Sequence, residues 1–68
     1  MMTASQCRVA RGLLDWTQQD LADAAGVSVI TVAWFEEGER LAVGVVQAME
    51  AAFEGMNVRF FDAGVWRV

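Results

Sequence analysis

The sequence has no histidine and only one cysteine, Cys7, which limits the chemistry available to the chain. One cysteine cannot form a disulfide within the chain, and a zinc site needs several cysteine or histidine ligands. We therefore expect no metal and interpret Cys7 as a small buried apolar side chain rather than a redox or catalytic group. No catalytic triad, phosphate-binding glycine loop or acid/base pair is recognisable, so we predict a non-enzyme without a cofactor.

Lysine is also absent, and five arginines stand against nine carboxylates, which gives a net charge of −4. This balance disfavours strong nonspecific attraction to nucleic acid, because neutralisation of phosphate supplies much of that affinity. No apolar run approaches the roughly 18 residues of a membrane span, and the N-terminus lacks the basic and apolar regions of a signal peptide. We expect a cytoplasmic protein of bacterial origin with no membrane partner.

The chain is short and apolar, with 68 residues of which 56% are hydrophobic. We predict one domain over residues 1–68. A core of this size is marginal, and the apolar excess has to be covered. Because disulfides and metals are not expected, self-association is the predicted means of covering it.

Cap residues divide the first part of the chain into four predicted helices. Thr3, Thr17 and Ser28 are residue types that cap helix N-termini, and Gly26 tolerates the left-handed conformation of a sharp helix end. Apolar residues run nearly all the way round the fourth helix, which predicts burial on more than one side. The predicted helices are residues 4–14, 18–25, 29–37 and 43–54.

The sequence after Gly55 changes to a β-prone tail over residues 58–68. Two short runs, 58–61 and 65–68, flank Asp62-Ala63-Gly64, a predicted turn. An isolated two-stranded hairpin is marginal in water, so we predict that the tail pairs with the tail of a second copy. The predicted dimer interface consists of Val58, Phe60, Phe61, Val65, Trp66 and Val68.

Residues 17–36 are typical of two short helices joined by a tight glycine turn, the arrangement that places a helix in the DNA major groove. The chain resembles the phage-repressor/Cro-like (XRE-type) helix-turn-helix family over about residues 4–55. The residues that carry the resemblance are Trp16-Thr17-Gln18-Gln19-Asp20-Leu21-Ala22, Ala25-Gly26-Val27-Ser28, Thr31-Val32 and Phe35-Glu36-Glu37-Gly38. The tail is similar to the short β tail through which small bacterial members dimerise.

The resemblance implies a mainly α, four-helix repressor-like domain with a short C-terminal β-hairpin or strand pair, completed across a homodimer. It also implies a surface for double-stranded DNA, in which Gln18 and Ser28 contact phosphate and Arg40 contacts the backbone. The positions that would meet base edges are Val29, Ile30, Ala33 and Trp34. Arg11 and Glu36 match a buried ion pair between the first and third helices, which leaves neither free for DNA.

The base-facing positions are apolar here, whereas family members often carry polar residues that hydrogen-bond to bases. Apolar groups can touch thymine methyls but make no bidentate contact to guanine or adenine. Two functions follow as hypotheses. The first is a small dimeric transcription regulator that binds DNA with its third helix. The alternative is a protein-interaction module of the same shape, an antirepressor or antiactivator, that docks this face on a protein partner.

Overall fold

The computed structural model describes residues 1–62 and 64–68, and it consists of four helices followed by a two-stranded antiparallel hairpin. The predicted mainly α fold class is confirmed. The predicted turn at residues 62–64 includes Ala63, which lies outside the described residues. The elements are α1 (Ala4–Leu14), α2 (Gln18–Ala25), α3 (Val29–Glu36), α4 (Val43–Glu54), β1 (Val58–Phe61) and β2 (Gly64–Arg67).

Helix boundaries follow from local hydrogen bonds. Thr3 Oγ1 accepts from the N–H of Gln6 at 3.1 Å, and Thr17 Oγ1 accepts from the N–H of Asp20 at 3.0 Å. Each is one half of a reciprocal capping box that satisfies N–H groups at a helix start. Helix α3 ends at Glu36, one residue before the predicted end, and the following residue, Glu37, is its C-cap with a ψ of −3°.

The core lies where all four helices meet the hairpin. Its fully buried members come from α1, α2, α3, α4 and β1, and the largest are Phe53, Leu21, Met49, Val32, Val58 and Cys7. The fold buries the Cys7 side chain completely, so its sulfur does not reach solvent.

Helix α4 buries one face rather than several. Its buried residues, Val46, Met49 and Phe53, lie along one stripe, while Val43 is 55% exposed. The predicted burial on more than one side was therefore wrong within a single chain. The main neighbours of α4 are α2 and β1, and Val45 and Ala52 beside the buried stripe are partly buried against the core.

The hairpin packs on the helices through its inner face. The ring of Phe53 stacks on Trp16 at 5.6 Å and meets Phe60 edge-on at 5.7 Å between ring centroids. Arg67 Nη1 donates to the carbonyl of Leu13 at 3.0 Å, which ties β2 to the end of α1. Strand β2 covers 64–67 instead of the predicted 65–68, because the register pairs Phe61 with Gly64.

The two faces of the hairpin differ sharply in exposure. Val58 is completely buried within its own chain, so it has no side-chain surface to offer a partner, and its assignment to a dimer interface is corrected. Phe60 and Val65 are half buried on the same inner face. Side chains on opposite sides of a pleated strand alternate, so the outer face carries the exposed members of the predicted interface. These are Phe61, Trp66 and Val68, which are 54%, 62% and 69% exposed.

Candidate nucleic-acid interface

Helices α2 and α3 are joined by a turn of three residues, 26–28. Gly26 ends α2 with a left-handed φ of 70°, a conformation that strains most side chains. The N–H of Val27 donates to the carbonyl of Ala22 at 3.0 Å, and Ser28 Oγ then accepts from the N–H of Ile30 at 3.1 Å. These bonds leave the turn little freedom, and they set the angle at which α3 leaves α2.

Helix α3 is held against the core by Val32 and Phe35, which are buried together with Leu21 of α2. Residues spaced three and four apart share one face of a helix, so burial of this face turns the opposite face outward. Ile30 and Trp34 lie on the outward face one helical turn apart, and they are 56% and 52% exposed.

The other predicted base-facing residues flank this pair. Val29 and Ala33 are half buried, and Val29, three residues before Val32, packs partly against the core, so it borders the outward face. Ser28 is exposed at the start of the helix, with its hydroxyl used as the cap. The outward surface of α3 that Val29, Ile30, Ala33 and Trp34 form is called the α3 outer face below.

Arg11 and Glu36, the predicted ion pair, are in contact through two parallel hydrogen bonds. Arg11 Nε lies 2.7 Å from Glu36 Oε2, and Arg11 Nη2 lies 2.8 Å from Glu36 Oε1. The Glu36 residue is 7% exposed, while the Arg11 side chain is 19% exposed. Arg11 Nη1 also donates to the carbonyl of Trp16 at 3.0 Å, so one guanidinium joins α1, the α1–α2 connection and α3.

Two more side chains donate to the same carboxylate. Cys7 Sγ donates to Glu36 Oε2 at 3.1 Å, and Gln18 Nε2 donates to Glu36 Oε1 at 3.0 Å. Arg8 donates from Nη1 to the Glu36 carbonyl oxygen. A buried charge is tolerated when it is paired and its lone pairs are satisfied, and Glu36 meets both conditions. We call Cys7, Arg11, Gln18 and Glu36 the Glu36 network.

Gln18 was predicted to contact phosphate, and the structure uses its side chain differently. The side-chain amide is half buried and donates to Glu36, because the first turn of α2 lies beside the C-terminal end of α3. One N–H of the Gln18 amide is therefore used in the Glu36 network, and the contact of Gln18 to phosphate stays a prediction. At this helix start the capping box uses the backbone N–H groups of Thr17 and Asp20, which leaves those of Gln18 and Gln19 for an anion.

The Glu36 network shifts the pKa values of its members. Burial raises the pKa of the Glu36 carboxyl, but hydrogen bonds from Arg11, Gln18 and Cys7 outweigh burial and leave this pKa below its ordinary value. The hydrogen bond to Glu36 raises the pKa of Arg11. Burial, followed by the hydrogen bond to Glu36, raises the pKa of the Cys7 thiol, so Cys7 stays protonated. A buried neutral thiol is a poor nucleophile.

Positive charge is scarce around the α3 outer face. No arginine occurs between Arg11 and Arg40, whereas Asp20, Asp23 and Glu37 are exposed in this part of the chain. Four of the five arginines donate hydrogen bonds within the chain. Over residues 1–62 and 64–68, Arg40 is the arginine that makes no hydrogen bond or ion pair inside the protein. It is exposed in the loop between α3 and α4.

Besides the bonds of Gln18 and Arg8 to Glu36, two further contacts were not predicted from sequence. Cys7 reaches Glu36 because it lies one helical turn before Arg11 on the same face of α1, and this spacing was a usable signal. The Met2 backbone N–H donates to Glu50 Oε2 at 2.8 Å, and the Met2 side chain is buried. No local pattern indicates that second contact, because its partners are 48 residues apart.

The described residues contain no group of three or more cysteine, aspartate and glutamate side chains placed to hold a metal ion. In the same part of the chain, no helix combines the length and apolar character needed to cross a bilayer.

A capped pair of short helices, a glycine turn between them and an outward face on the second helix define a helix-turn-helix protein. A family model described as helix-turn-helix matches residues 8–57, which include α2, the turn and α3. The chain belongs to this family, the XRE-type helix-turn-helix proteins, which are DNA-binding regulators. The match ends before β1, so the hairpin lies outside it. No curated protein matches the chain.

Proposed function

We propose that this protein is a small transcription regulator that binds double-stranded DNA with α3 in the major groove. The observation that carries the proposal is the exposed α3 outer face, on a helix whose orientation is set by the glycine turn and the Glu36 network. In helix-turn-helix proteins the second helix of the motif meets base edges, and its position is set by the first. Membership of a family of DNA-binding regulators supports the same function.

The proposed contacts divide into base-facing and backbone-facing groups. Val29, Ile30, Ala33 and Trp34 would face the bases. Ser28, Gln18 and the free N-terminal N–H groups of α2 would face phosphate, where the helix dipole favours an anion. Arg40 would pair with phosphate after α3, because its guanidinium has no partner among the described residues.

Selection from random duplexes is the direct experiment. The purified protein is incubated with a random-sequence duplex library at low salt, and bound DNA is amplified over several rounds. We expect one enriched motif. A folded protein that enriches no motif would rule the DNA-binding function out.

We further propose that the protein works as a homodimer through the outer face of the hairpin. Phe61, Trp66 and Val68 form an exposed apolar group on one face, and covering such a group is a driving force for association. Two copies would present their α3 helices about one DNA turn apart, roughly 34 Å, on a pseudo-palindromic site.

Sedimentation measurements on two charge-introducing variants test the dimer. Trp66→Glu should give a monomer, because association would have to remove the charged carboxylate from water where the wild type buries an apolar ring. Ile30→Glu is the matched control, since Ile30 is exposed to a similar degree on a different surface, and it should remain a dimer. An unchanged dimer for Trp66→Glu would locate the interface elsewhere.

The second candidate is a protein-interaction module, an antirepressor or antiactivator. The absence of arginine between Arg11 and Arg40 favours it, because DNA attracts cationic surfaces. The partner would offer an apolar groove bordered by cations, which complements an apolar helix with nearby carboxylates. A photo-crosslinking residue at position 34 separates the candidates. In the producing cell it would crosslink to DNA under the first function and to a protein under the second.

We also propose that the protein is bacterial and cytoplasmic and that it has no catalytic activity and no cofactor. This proposal rests on family membership and on the buried, protonated state of Cys7, which leaves the described residues without a reactive thiol.

A further inference from the structure

Helix α3 is apolar on both of its faces, which is unusual for a helix at the surface of a small domain. Six of its eight residues, V-I-T-V-A-W-F-E, are apolar. Packing against the core accounts for Val32 and Phe35 but leaves Ile30 and Trp34 more than half exposed. A helix that is apolar all round is normally covered on every side, so the α3 outer face is built for a covering surface.

Hydrogen-bonding groups are nearly missing from this face. Valine, isoleucine and alanine side chains have no donor or acceptor, and the indole of Trp34 has one N–H donor. Bidentate recognition of guanine or adenine needs arginine, lysine, asparagine or glutamine. In the major groove the 5-methyl group of thymine is the apolar feature that distinguishes one base pair from another.

We infer that the α3 outer face recognises thymine methyl groups, with Ile30 and Trp34 as the specificity-determining residues. This inference rests on the proposed DNA-binding function. The two side chains are four residues apart, which is about 6 Å along a helix with a rise of 1.5 Å per residue. Because stacked base pairs are about 3.4 Å apart, Ile30 and Trp34 meet methyl groups roughly two base pairs from each other.

The charge distribution makes these apolar contacts more important than they are in a basic repressor. Arg40 is the one arginine without an intrachain partner in the described part of the chain, so phosphate contacts supply little affinity. Burial of methyl groups against Ile30 and Trp34 supplies affinity that does not depend on salt. The site that binds best is therefore rich in A·T pairs where α3 lies.

Uracil substitution isolates the methyl group. The duplex selected by the wild-type protein is prepared with thymine and again with deoxyuridine at each A·T pair, one position at a time. Deoxyuridine keeps the O4 acceptor and the base pairing and removes only the 5-methyl group. We expect about a fourfold loss of affinity at each contacted position, which corresponds to ~0.8 kcal/mol for one buried methylene.

The side chains responsible are identified by combining base and protein changes. Ile30→Ala and Trp34→Ala should each lose sensitivity to uracil at one position while keeping it at the other. Val9→Ala is the control, because Val9 is 50% exposed on α1 and lines the groove next to the hairpin, and it should keep full sensitivity.

Three outcomes would overturn the inference, and they differ in whether the proposed DNA binding remains valid. Equal affinity of the wild-type protein for thymine and uracil duplexes overturns the methyl recognition and leaves DNA binding intact. Uracil sensitivity that is unchanged in both α3 variants assigns the methyl contact to other residues. Failure to select any duplex removes the inference together with the proposed function.

Discussion

The two faces of α3 differ from those of an ordinary surface helix, because a carboxylate is buried beside the apolar core residues and apolar side chains are exposed on the other face. Its inner end carries Glu36, a carboxylate that is 7% exposed and accepts from three side chains, whereas its outer face carries Trp34, an indole that is 52% exposed. Ordinary amphipathic helices bury apolar groups and expose charged ones. The two faces therefore have different roles: the Glu36 network positions the helix, and the α3 outer face is left for recognition.

The inner face shows what a buried charge contributes to so small a protein. Removing a carboxylate from water is costly, and that cost is offset only when the geometry is good and the lone pairs are satisfied. The donors to Glu36 come from α1 and α2, so the carboxylate bonds at short distance only if three helices adopt one arrangement. We infer that the Glu36 network fixes the orientation of α3. An apolar contact would fix this orientation less specifically.

Removal of one member of the Arg11–Glu36 ion pair should have the largest effect on the stability that the inner face provides. Arg11→Ala should lower the free energy of unfolding by about 3–5 kcal/mol, because Glu36 is then left charged and buried. Urea denaturation measures the change. Arg40→Ala removes an exposed arginine and should change stability by less than about 0.5 kcal/mol. A loss under ~1 kcal/mol for Arg11→Ala would mean that the pair does not position α3.

Acid should lower the free energy of unfolding by a smaller amount than Arg11→Ala does, through the Glu36 network on the inner face. The folded-state pKa of Glu36 lies below its ordinary value of 4.5, so the unfolded chain takes up the proton first as the pH falls. The stabilisation from the Glu36 network is therefore complete above the ordinary pKa and is lost as the pH falls through the folded-state pKa. Urea denaturation over a pH series should show a steeper acid dependence in the wild type than in Glu36→Gln. Equal dependence in both proteins would contradict the lowered pKa.

Salt should weaken the binding of DNA to the α3 outer face only slightly. A dimer offers about two unpaired arginines, one Arg40 from each copy, and each neutralised phosphate contributes about −0.9 to the slope of log K against log salt. We expect a slope near −2 in titrations of the selected duplex. A slope steeper than about −5 would show that Arg8, Arg59 or Arg67 leaves its intrachain hydrogen bond to contact phosphate.

Truncation of the outer face should have the smallest effect on stability. Trp34→Ala removes a half-exposed side chain, so we expect a change in the free energy of unfolding within about 0.5 kcal/mol. Thermal and urea denaturation of the two proteins provide the measurement. A loss above ~2 kcal/mol would show that Trp34 belongs to the core, and the contrast between the two faces of α3 would then fail.

Local signals were sufficient to predict most of the secondary structure. A capping box such as Thr17 with Asp20 is completed within four residues, and the φ of Gly26 follows from its lack of a side chain. Such features depend on neighbours in the chain, and the capped helix starts at residues 4, 18 and 29 accordingly agree with the structure, as does the start of α4 at residue 43, which has no side-chain cap.

Features that depend on distant contacts were harder to predict. The apolar residues around α4 indicated how much could be buried but not which of them, such as Val43, the packing of one chain leaves exposed. Val58 is an apolar residue in the β-prone tail, which suggested an interface. Only the packing of the hairpin shows that the core of the same chain buries it. The bond from Gln18 to Glu36 was not predicted, because it joins residues 18 apart in sequence.

The most direct test of the account is the affinity of Trp34→Ala for the duplex that the wild-type protein selects. Fluorescence anisotropy at low salt, with unfolding midpoints recorded for both proteins, gives binding and stability together. We predict at least a tenfold loss of affinity, or about 1.4 kcal/mol, with an unchanged midpoint. Equal affinities of the two folded proteins would contradict the assignment of the α3 outer face to DNA.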